Sequence, residues 1–422
     1  MNRDFFTILA AQFFSALADN ALLFAAIAML KDRAAPPWEI PVLQQFFVFS
    51  YIVLAPFVGP FADSLPKGRV MFISNAVKIV GCGAMLVGGH PLLAYGLVGV
   101  GAALYSPAKY GILTECLPAH RLVWANGWME GLTVASIILG AILGGVLIGP
   151  RVQEHLIERL EGLEFHLGLT TAPEFAVALV LGIYLLAAII NLYIPQLPFH
   201  RKLPKRTLGF ALRDFRQSFH GLWQDPLGKV SLAVTTLFWG AGATLRFIVL
   251  TWAATALGFN LEQATQLTAL VAVGIAGGAS LAAKQVSLTR AVRVLPTGIA
   301  MGLMVMVMIG ITDWRLAVVL MLLIGIMAGY FVVPMNALLQ HRGHLLMGAG
   351  RSIAVQNFNE NLGILVMLGA YALMIRAGFG INAIVLIFGG FVALAMAGVA
   401  RNHWHDQDRT PEETTRPRNR NP

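Results

Sequence analysis

Apolar runs of about 20 residues recur along this chain, each closed by a polar, glycine or proline break. They lie near 5–30, 41–62, 69–89, 91–113, 125–149, 173–194, 229–257, 262–284, 294–312, 314–338, 351–376 and 380–400. Backbone in lipid must satisfy its own hydrogen bonds, so the pattern predicts an all-α integral membrane protein of twelve transmembrane helices. The longest break, Pro195 to Gly228, divides the runs six and six. Within it "LGFALRDFRQSFHGLW" sets Leu208, Leu212, Phe215, Phe219 and Leu222 on one helical stripe beside Arg213 and Arg216. That pattern predicts an amphipathic helix lying on the inner leaflet, where the simpler reading is a plain tether. The expected organisation is a six-helix bundle over 1–194, a linker over 195–228, a second bundle over 229–400 and a disordered polar tail over 401–422. A further insertion, 151–172, is acidic and amphipathic.

Composition agrees with the pattern: 57% of the 422 residues are hydrophobic and 12% charged, against about 25% charged in ordinary soluble domains. The net charge of +9 suggests nucleic acid until its distribution is read. Most Lys and Arg fall in alternate loops on one side, the densest being Arg201, Lys202, Lys205, Arg206, Arg213 and Arg216. Such a bias places both termini in the cytoplasm, so the charge is a topology signal and no nucleic-acid partner is implied. Cys82 and Cys116 suggest no disulfide framework, and no cleavable leader is read at the N-terminus.

The two halves carry traces of one another. "FFSALA" (Phe13 to Ala18) aligns with "FWGAGA" (Phe238 to Ala243), and "YSPAKYGIL" aligns through Pro107 with "VVPMNALLQ" through Pro334. Asn126 and Glu130 in the fifth span, and Gln356 and Glu360 in the eleventh, are each four apart and share a helix face. Internal symmetry of this kind marks duplicated transporters. Six plus six spans with a long central loop point to the major facilitator superfamily fold. The loop "GPFADSLPKGR" resembles that superfamily's signature through Gly59, Asp63, Lys67, Gly68 and Arg69. Asp63 is expected near a helix end and the bases near headgroups, so that the loop latches onto the other half when the cytoplasmic side is shut. The bland alternative is a solvated turn. The corresponding loop of the second half, "AAKQVSLTRAVR", keeps bases but lacks the acid.

Charges inside spans are costly and therefore candidates for function. They are Asp19, Lys78, Lys109, Glu130, Arg246 and Glu360. In the superfamily's fold the first, fourth, seventh and tenth spans line a central cavity, which places Asp19, Lys109, Arg246 and, by their spans, Asn20 and Asn336 toward it. Asp19 and Arg246 are expected to face each other from opposite halves, with a mutual ion pair as the simplest outcome. Glu130, Gln356 and Glu360 fall on lateral seams. Lys78 reads as structural, snorkelling or pairing within the first half.

"ADNALLF", "AYSPAKYGILTE", "LFWGAGATLRF", "FVVPMNALLQ" and "AVQNFNEN" resemble the LplT family of lysophospholipid transporters in Gram-negative inner membranes, and the resemblance spans nearly all twelve helices. It implies a flippase moving lysophosphatidylethanolamine and lysophosphatidylglycerol from the outer to the inner leaflet, where an acyltransferase/acyl-ACP synthetase restores the second chain. It carries the family's charged cavity residues onto Asp19, Lys109, Arg246 and Glu360. The 151–172 insertion and the polar tail depart from the family pattern. The chemistry of the residues agrees: a phosphate beside an ammonium wants both signs of charge in a polar cavity, while one acyl chain wants an apolar seam.

An ATP-driven pump is disfavoured because no GxxxxGK[ST] loop occurs, and a membrane acyltransferase because the ten histidines lie in loops, span ends or tail without a nucleophile at triad-like spacing. A proton-coupled drug exporter is the nearest alternative, since the fold is shared. No cofactor is expected, although a coupling sodium or proton is compatible with Asp19, and the expected state is a monomer among membrane lipids.

Overall fold

The computed structural model describes residues 3–35, 39–148, 171–195, 208–259 and 261–413. The helices are α1 Arg3–Asp32, α2 Glu39–Ser64, α3 Lys67–Leu86, α4 Pro91–Cys116, α5 Leu122–Leu147 and α6 Ala172–Leu192, then the linker helix α7 Leu208–Gln224. They continue with α8 Pro226–Ala256, α9 Leu261–Gln285, α10 Leu295–Val307, α11 Trp314–Met347, α12 Ala349–Arg376 and α13 Ile381–Glu413. Among the described residues, twelve segments are long and apolar enough to cross a membrane, and they correspond to the twelve apolar runs. The chain is a multi-pass membrane protein.

Two boundaries differ from those expected from hydropathy. The eleventh helix runs on to Met347, because the polar stretch "QHRGHLLM" still favours helix although it no longer favours hydrocarbon. The last helix continues to Glu413, so 401–413, expected as a disordered tail, is helical; 414–422 lie outside the described residues. Most of the 151–172 insertion lies outside them as well.

Residue contacts divide the chain into two units, one of 1–119, 128–218 and 343–361, the other of 120–127, 219–342 and 362–422. The first is organised by α1, whose buried Ala18, Ala21, Leu22, Ala25, Ala26 and Met29 recur every three to four residues. They join Cys82 and Met85 of α3, Tyr95 and Val98 of α4 and Tyr184 of α6 in one apolar core. In lipid no hydrophobic drive pulls helices together, so close packing of small residues must do it. Gly144 of α5 shows this: a Cβ there would stand 2.9 Å from the Ala21 carbonyl oxygen.

The second unit uses the same device between α9 and α11. Gly274 packs on Gly325, Gly278 on the Ile326 carbonyl and Gly329 on the Ile275 carbonyl, and a Cβ on Gly274 would lie 2.5 Å from the Leu322 carbonyl oxygen. Pro107 in α4 and Pro334 in α11 both sit inside their helices, each removing one main-chain hydrogen bond.

Candidate functional site

Three polar clusters lie in the first unit's spans. On α1, Gln12, Ser15 and Asp19 follow one another at helical spacing and form a polar stripe in an apolar helix. Asp19 meets Lys78 of α3: the ammonium stands 2.8 Å from Oδ1 and donates to Oδ2 at 2.9 Å and to Ser15 Oγ at 3.0 Å. Tyr184 of α6 donates its hydroxyl to Asp19 Oδ1 at 2.7 Å, and Ser15 Oγ donates to Asn75 Oδ1 at 2.9 Å. The ammonium also lies 4.9 Å from the ring centre of Tyr105 and 5.4 Å from that of Tyr184, a range in which aromatic faces attract cations. Lys78 is fully buried, whereas the Asp19 side chain keeps 21% of its surface exposed. Asn20 spends its amide on the carbonyl of Ala16 at 2.8 Å.

The second cluster centres on Thr133 of α5. Gln12 Nε2 donates to its hydroxyl at 2.7 Å and Lys109 Nζ at 3.3 Å, while the hydroxyl donates to the Met129 carbonyl. Lys109 stands 4.5 Å over the ring of Tyr110, whose hydroxyl donates to Glu130 Oε1 at 3.3 Å. Thr133 was not singled out from sequence, although its i, i+3 spacing from Glu130 was the available signal. The third cluster is on α12. Gln356 Nε2 donates to Glu360 Oε1 at 2.7 Å, and Asn357 exchanges hydrogen bonds with Ser106 of α4 at 2.9 and 3.3 Å.

At the α2–α3 turn, Asp63 accepts from the backbone amides of Gly350 at 2.7 Å and Arg351 at 3.2 Å, two of the open N–H groups in the first turn of α12. Lys67 lies 3.0 Å from the same carboxylate and 3.3 Å from Glu115, and the Arg351 guanidinium lies 3.5 Å from Asp63. Glycine is required on both sides, since a Cβ on Gly59 would stand 2.8 Å from Arg351 Cα and one on Gly350 2.6 Å from Asp63 Oδ1. A Cβ on Gly68 would stand 3.0 Å from the Asn191 carbonyl oxygen and from Ile194 Cβ, a tight but less severe approach. Lys67 is buried, which corrects the placing of both bases near headgroups; Arg69 is the exposed one. The reason is local: Lys67 is drawn in by Asp63, Glu115 and the Ala62 carbonyl.

Arg351 also binds Asp214 of the linker helix at 2.7 Å, and Phe215 meets Phe358 edge to face at 5.4 Å. Part of the apolar stripe of α7 is therefore spent on protein: Leu222 is buried and Phe215 and Phe219 are partly covered, while Leu212 stays half exposed. At the other end of α7, Asp225 caps α8 through the Gly228 amide and pairs with Arg342. Partial burial alone would raise this carboxyl. The Arg342 and Gly228 hydrogen bonds and the Arg342 charge outweigh it and hold the group below the usual carboxylate range.

The family model of the Major Facilitator Superfamily matches residues 8–368. A lysophospholipid transporter LplT of Yersinia pestis (strain Pestoides F) is 44% identical over 385 residues, covering 91% of this chain and 90% of the relative. One from Yersinia pseudotuberculosis serotype O:3 (strain YPIII) matches to the same extent. The chain belongs to the LplT family of the major facilitator superfamily. The fold is shared with the transporter FucP in its outward conformation, at a TM-score of 0.72, 14% identity and coverage of 94% of this chain and 98% of that one. It is also shared with a bacterial homologue of ferroportin in an outward-facing state, at 0.69, 16% identity and 96% and 100% coverage.

The candidate site residues read from the sequence and from the LplT resemblance divide between the units. Asp19, Asn20, Lys109, Glu130, Gln356 and Glu360 belong to the first, while Arg246 and the buried Asn336 belong to the second. Within its own unit the cation that meets Asp19 is Lys78, which the sequence reads as structural or pairing within the first half. Arg246 is exposed on α8. Asn126 does not work with Glu130 along α5; it exchanges two hydrogen bonds with Gln340 of α11, at 3.0 and 2.9 Å. Among the described residues no group of His, Cys, Asp and Glu is arranged to hold a metal.

Proposed function

We propose that this chain is a lysophospholipid flippase of a bacterial inner membrane, with both termini in the cytoplasm. It carries lysophosphatidylethanolamine and lysophosphatidylglycerol from the outer to the inner leaflet and delivers them to a cytoplasmic acyltransferase. The observation that carries this reading is the 44% identity, over 91% of the chain, to relatives named lysophospholipid transporters.

The residues supply the chemistry. Lys109, held by Thr133 Oγ1 and the face of Tyr110, and the exposed Arg246 are cations suited to phosphate, Arg246 in bidentate fashion. Glu360, supported by the neutral amide of Gln356, is a carboxylate suited to an ammonium. Asp19 already holds an ammonium, that of Lys78, and sets the charge balance of its cluster without contacting the headgroup. The work is transport and no covalent bond is made or broken, so no cofactor enters, and a monomer is sufficient.

The test is leaflet-resolved uptake of radiolabelled lysophosphatidylethanolamine by spheroplasts lacking their own transporter. Expression of this chain should restore uptake and appearance of the two-chain lipid. Restored export of apolar cations without lysolipid uptake would replace this reading with that of a drug exporter.

A further inference from the structure

The surroundings of Lys78 are those of a bound monovalent cation. Its ammonium is met by both carboxylate oxygens of Asp19, by Ser15 Oγ and by the faces of Tyr105 and Tyr184. Carboxylate, hydroxyl and aromatic face together form a site that would hold an alkali cation if no lysine reached it. The lysine is seated deliberately: Gly101 of α4 leaves room for its stem, and a Cβ there would stand 2.6 Å from Lys78 Cγ. The pair is also unequal. The ammonium is fully buried, while the carboxylate beside it retains exposed surface. An ordinary packing ion pair has no need to hide one partner and present the other.

We propose that Lys78 is a tethered stand-in for a coupling cation: it fills the site made by Asp19, Ser15, Tyr105 and Tyr184, keeps sodium out, and lets lysophospholipid movement run without a sodium gradient. Lys78 is thus a positioning residue acting through Asp19. The transport part of this inference rests on the function proposed above; the cation-binding part does not.

The experiment measures binding of radioactive sodium to purified protein, with lysolipid uptake in proteoliposomes containing either sodium or choline. The wild type should bind no sodium saturably and take up lysolipid equally in both salts. Lys78→Met leaves Asp19 without its cation; uptake in choline should fall about tenfold or more, and sodium should bind saturably and restore part of it. The charge-balanced double variant Asp19→Asn with Lys78→Met should lose that sodium binding. If Lys78→Met is too unstable for uptake, its unfolding midpoint is read with and without sodium, and stabilisation that requires Asp19 supports the proposal. Saturable sodium binding by the wild type that Asp19→Asn abolishes would overturn it, as would a Lys78→Met protein indifferent to sodium in binding and in unfolding. Failure of uptake in every protein, with the sodium-binding pattern intact, would count against the transport reading alone.

Discussion

Asp63→Asn tests the contact between the α2–α3 turn and the first turn of α12. The carboxylate accepts the Gly350 and Arg351 amides at 2.7 and 3.2 Å and lies 3.0 Å from Lys67. Asparagine keeps one oxygen of nearly the same shape and loses the charge. Gly350 donates to Oδ1 and Arg351 to Oδ2, so asparagine keeps one contact, weakened by about 1 kcal/mol as a charged acceptor becomes neutral, and loses the other, at about 1.5 kcal/mol. Loss of a negative charge from a helix N-terminus removes a further ~0.3–1 kcal/mol. Lys67 and Arg351 keep Glu115 and Asp214 as partners, so neither is left as an unpaired buried charge. The sum is about 3 kcal/mol, or roughly 150-fold in the ratio of latched to unlatched forms.

Hydrogen–deuterium exchange reads that ratio at the site, because the Gly350 and Arg351 amides exchange when Asp63 lets go. The expected result is exchange faster by up to about 100-fold in the first turn of α12, with slower lysolipid uptake and unchanged equilibrium binding of lysolipid. Unchanged exchange would show that the charge contributes nothing to the latch. Faster exchange with unchanged uptake would show that the latch does not govern the transport cycle.

Arg246→Lys should abolish lysolipid uptake while membrane levels and the unfolding midpoint stay at wild-type values, since an ammonium lacks the planar fork that grips phosphate; normal uptake would remove Arg246 from phosphate binding. Asp19→Asn should impair lysophosphatidylethanolamine and lysophosphatidylglycerol alike, because Lys78 loses its counter-charge whatever the substrate, whereas Glu360→Gln should impair the ethanolamine lipid more; a headgroup-selective defect in Asp19→Asn would refute this division. The Asp225 carboxyl is held below its ordinary value of 3.8, so its contribution to stability is present above that pH and lost as pH falls through the lower folded value. Unfolding midpoints at pH 6 and pH 3 should show a larger acid loss in wild type than in Arg342→Gln, and equal losses would contradict the assignment. Gly278→Val places a side chain against the Ile326 carbonyl and should destabilise the second unit by about 1–3 kcal/mol or more, seen as a lower unfolding midpoint.

The twelve spans were legible because one physical demand, that backbone in lipid satisfy itself, writes the same apolar length twelve times. The α2–α3 turn was legible for a related reason. Asp63 and Gly59 are four apart on one helix, so a sequence pattern fixes their relative position before any tertiary contact forms. What that pattern cannot hold is the far side of the contact. Nothing in "GPFADSLPKGR" names Gly350, Arg351 or, one step further, Asp214 on the linker helix. Those partners follow from how helices are placed, and the same placement turns Lys67 inward where charge bias alone would send it to the headgroups.

The membrane charges show where such reading stops. Counting them gave Asp19 and Arg246 as opposite charges on equivalent spans of two related halves, and pairing them was the economical solution. A helix carries its side chains around its full circumference, however, and which face meets which neighbour is settled by small residues. Gly101 admits the Lys78 stem beside α4, and the alanines of α1 let α3 and α6 approach closely enough for Lys78 and Tyr184 to reach one carboxylate. The sequence did hold a clue in the Gln12, Ser15, Asp19 stripe and in Asn75 and Lys78 one turn apart on α3, two polar edges in otherwise apolar helices. Read together, those edges require each other. A polar stripe at the core-facing side of one span has to be met by a polar stripe on the span beside it, because neither lipid nor alkyl side chains can satisfy it. On that argument the partner of a membrane carboxylate is first sought on a neighbouring helix with a matching stripe, and only then across the transporter.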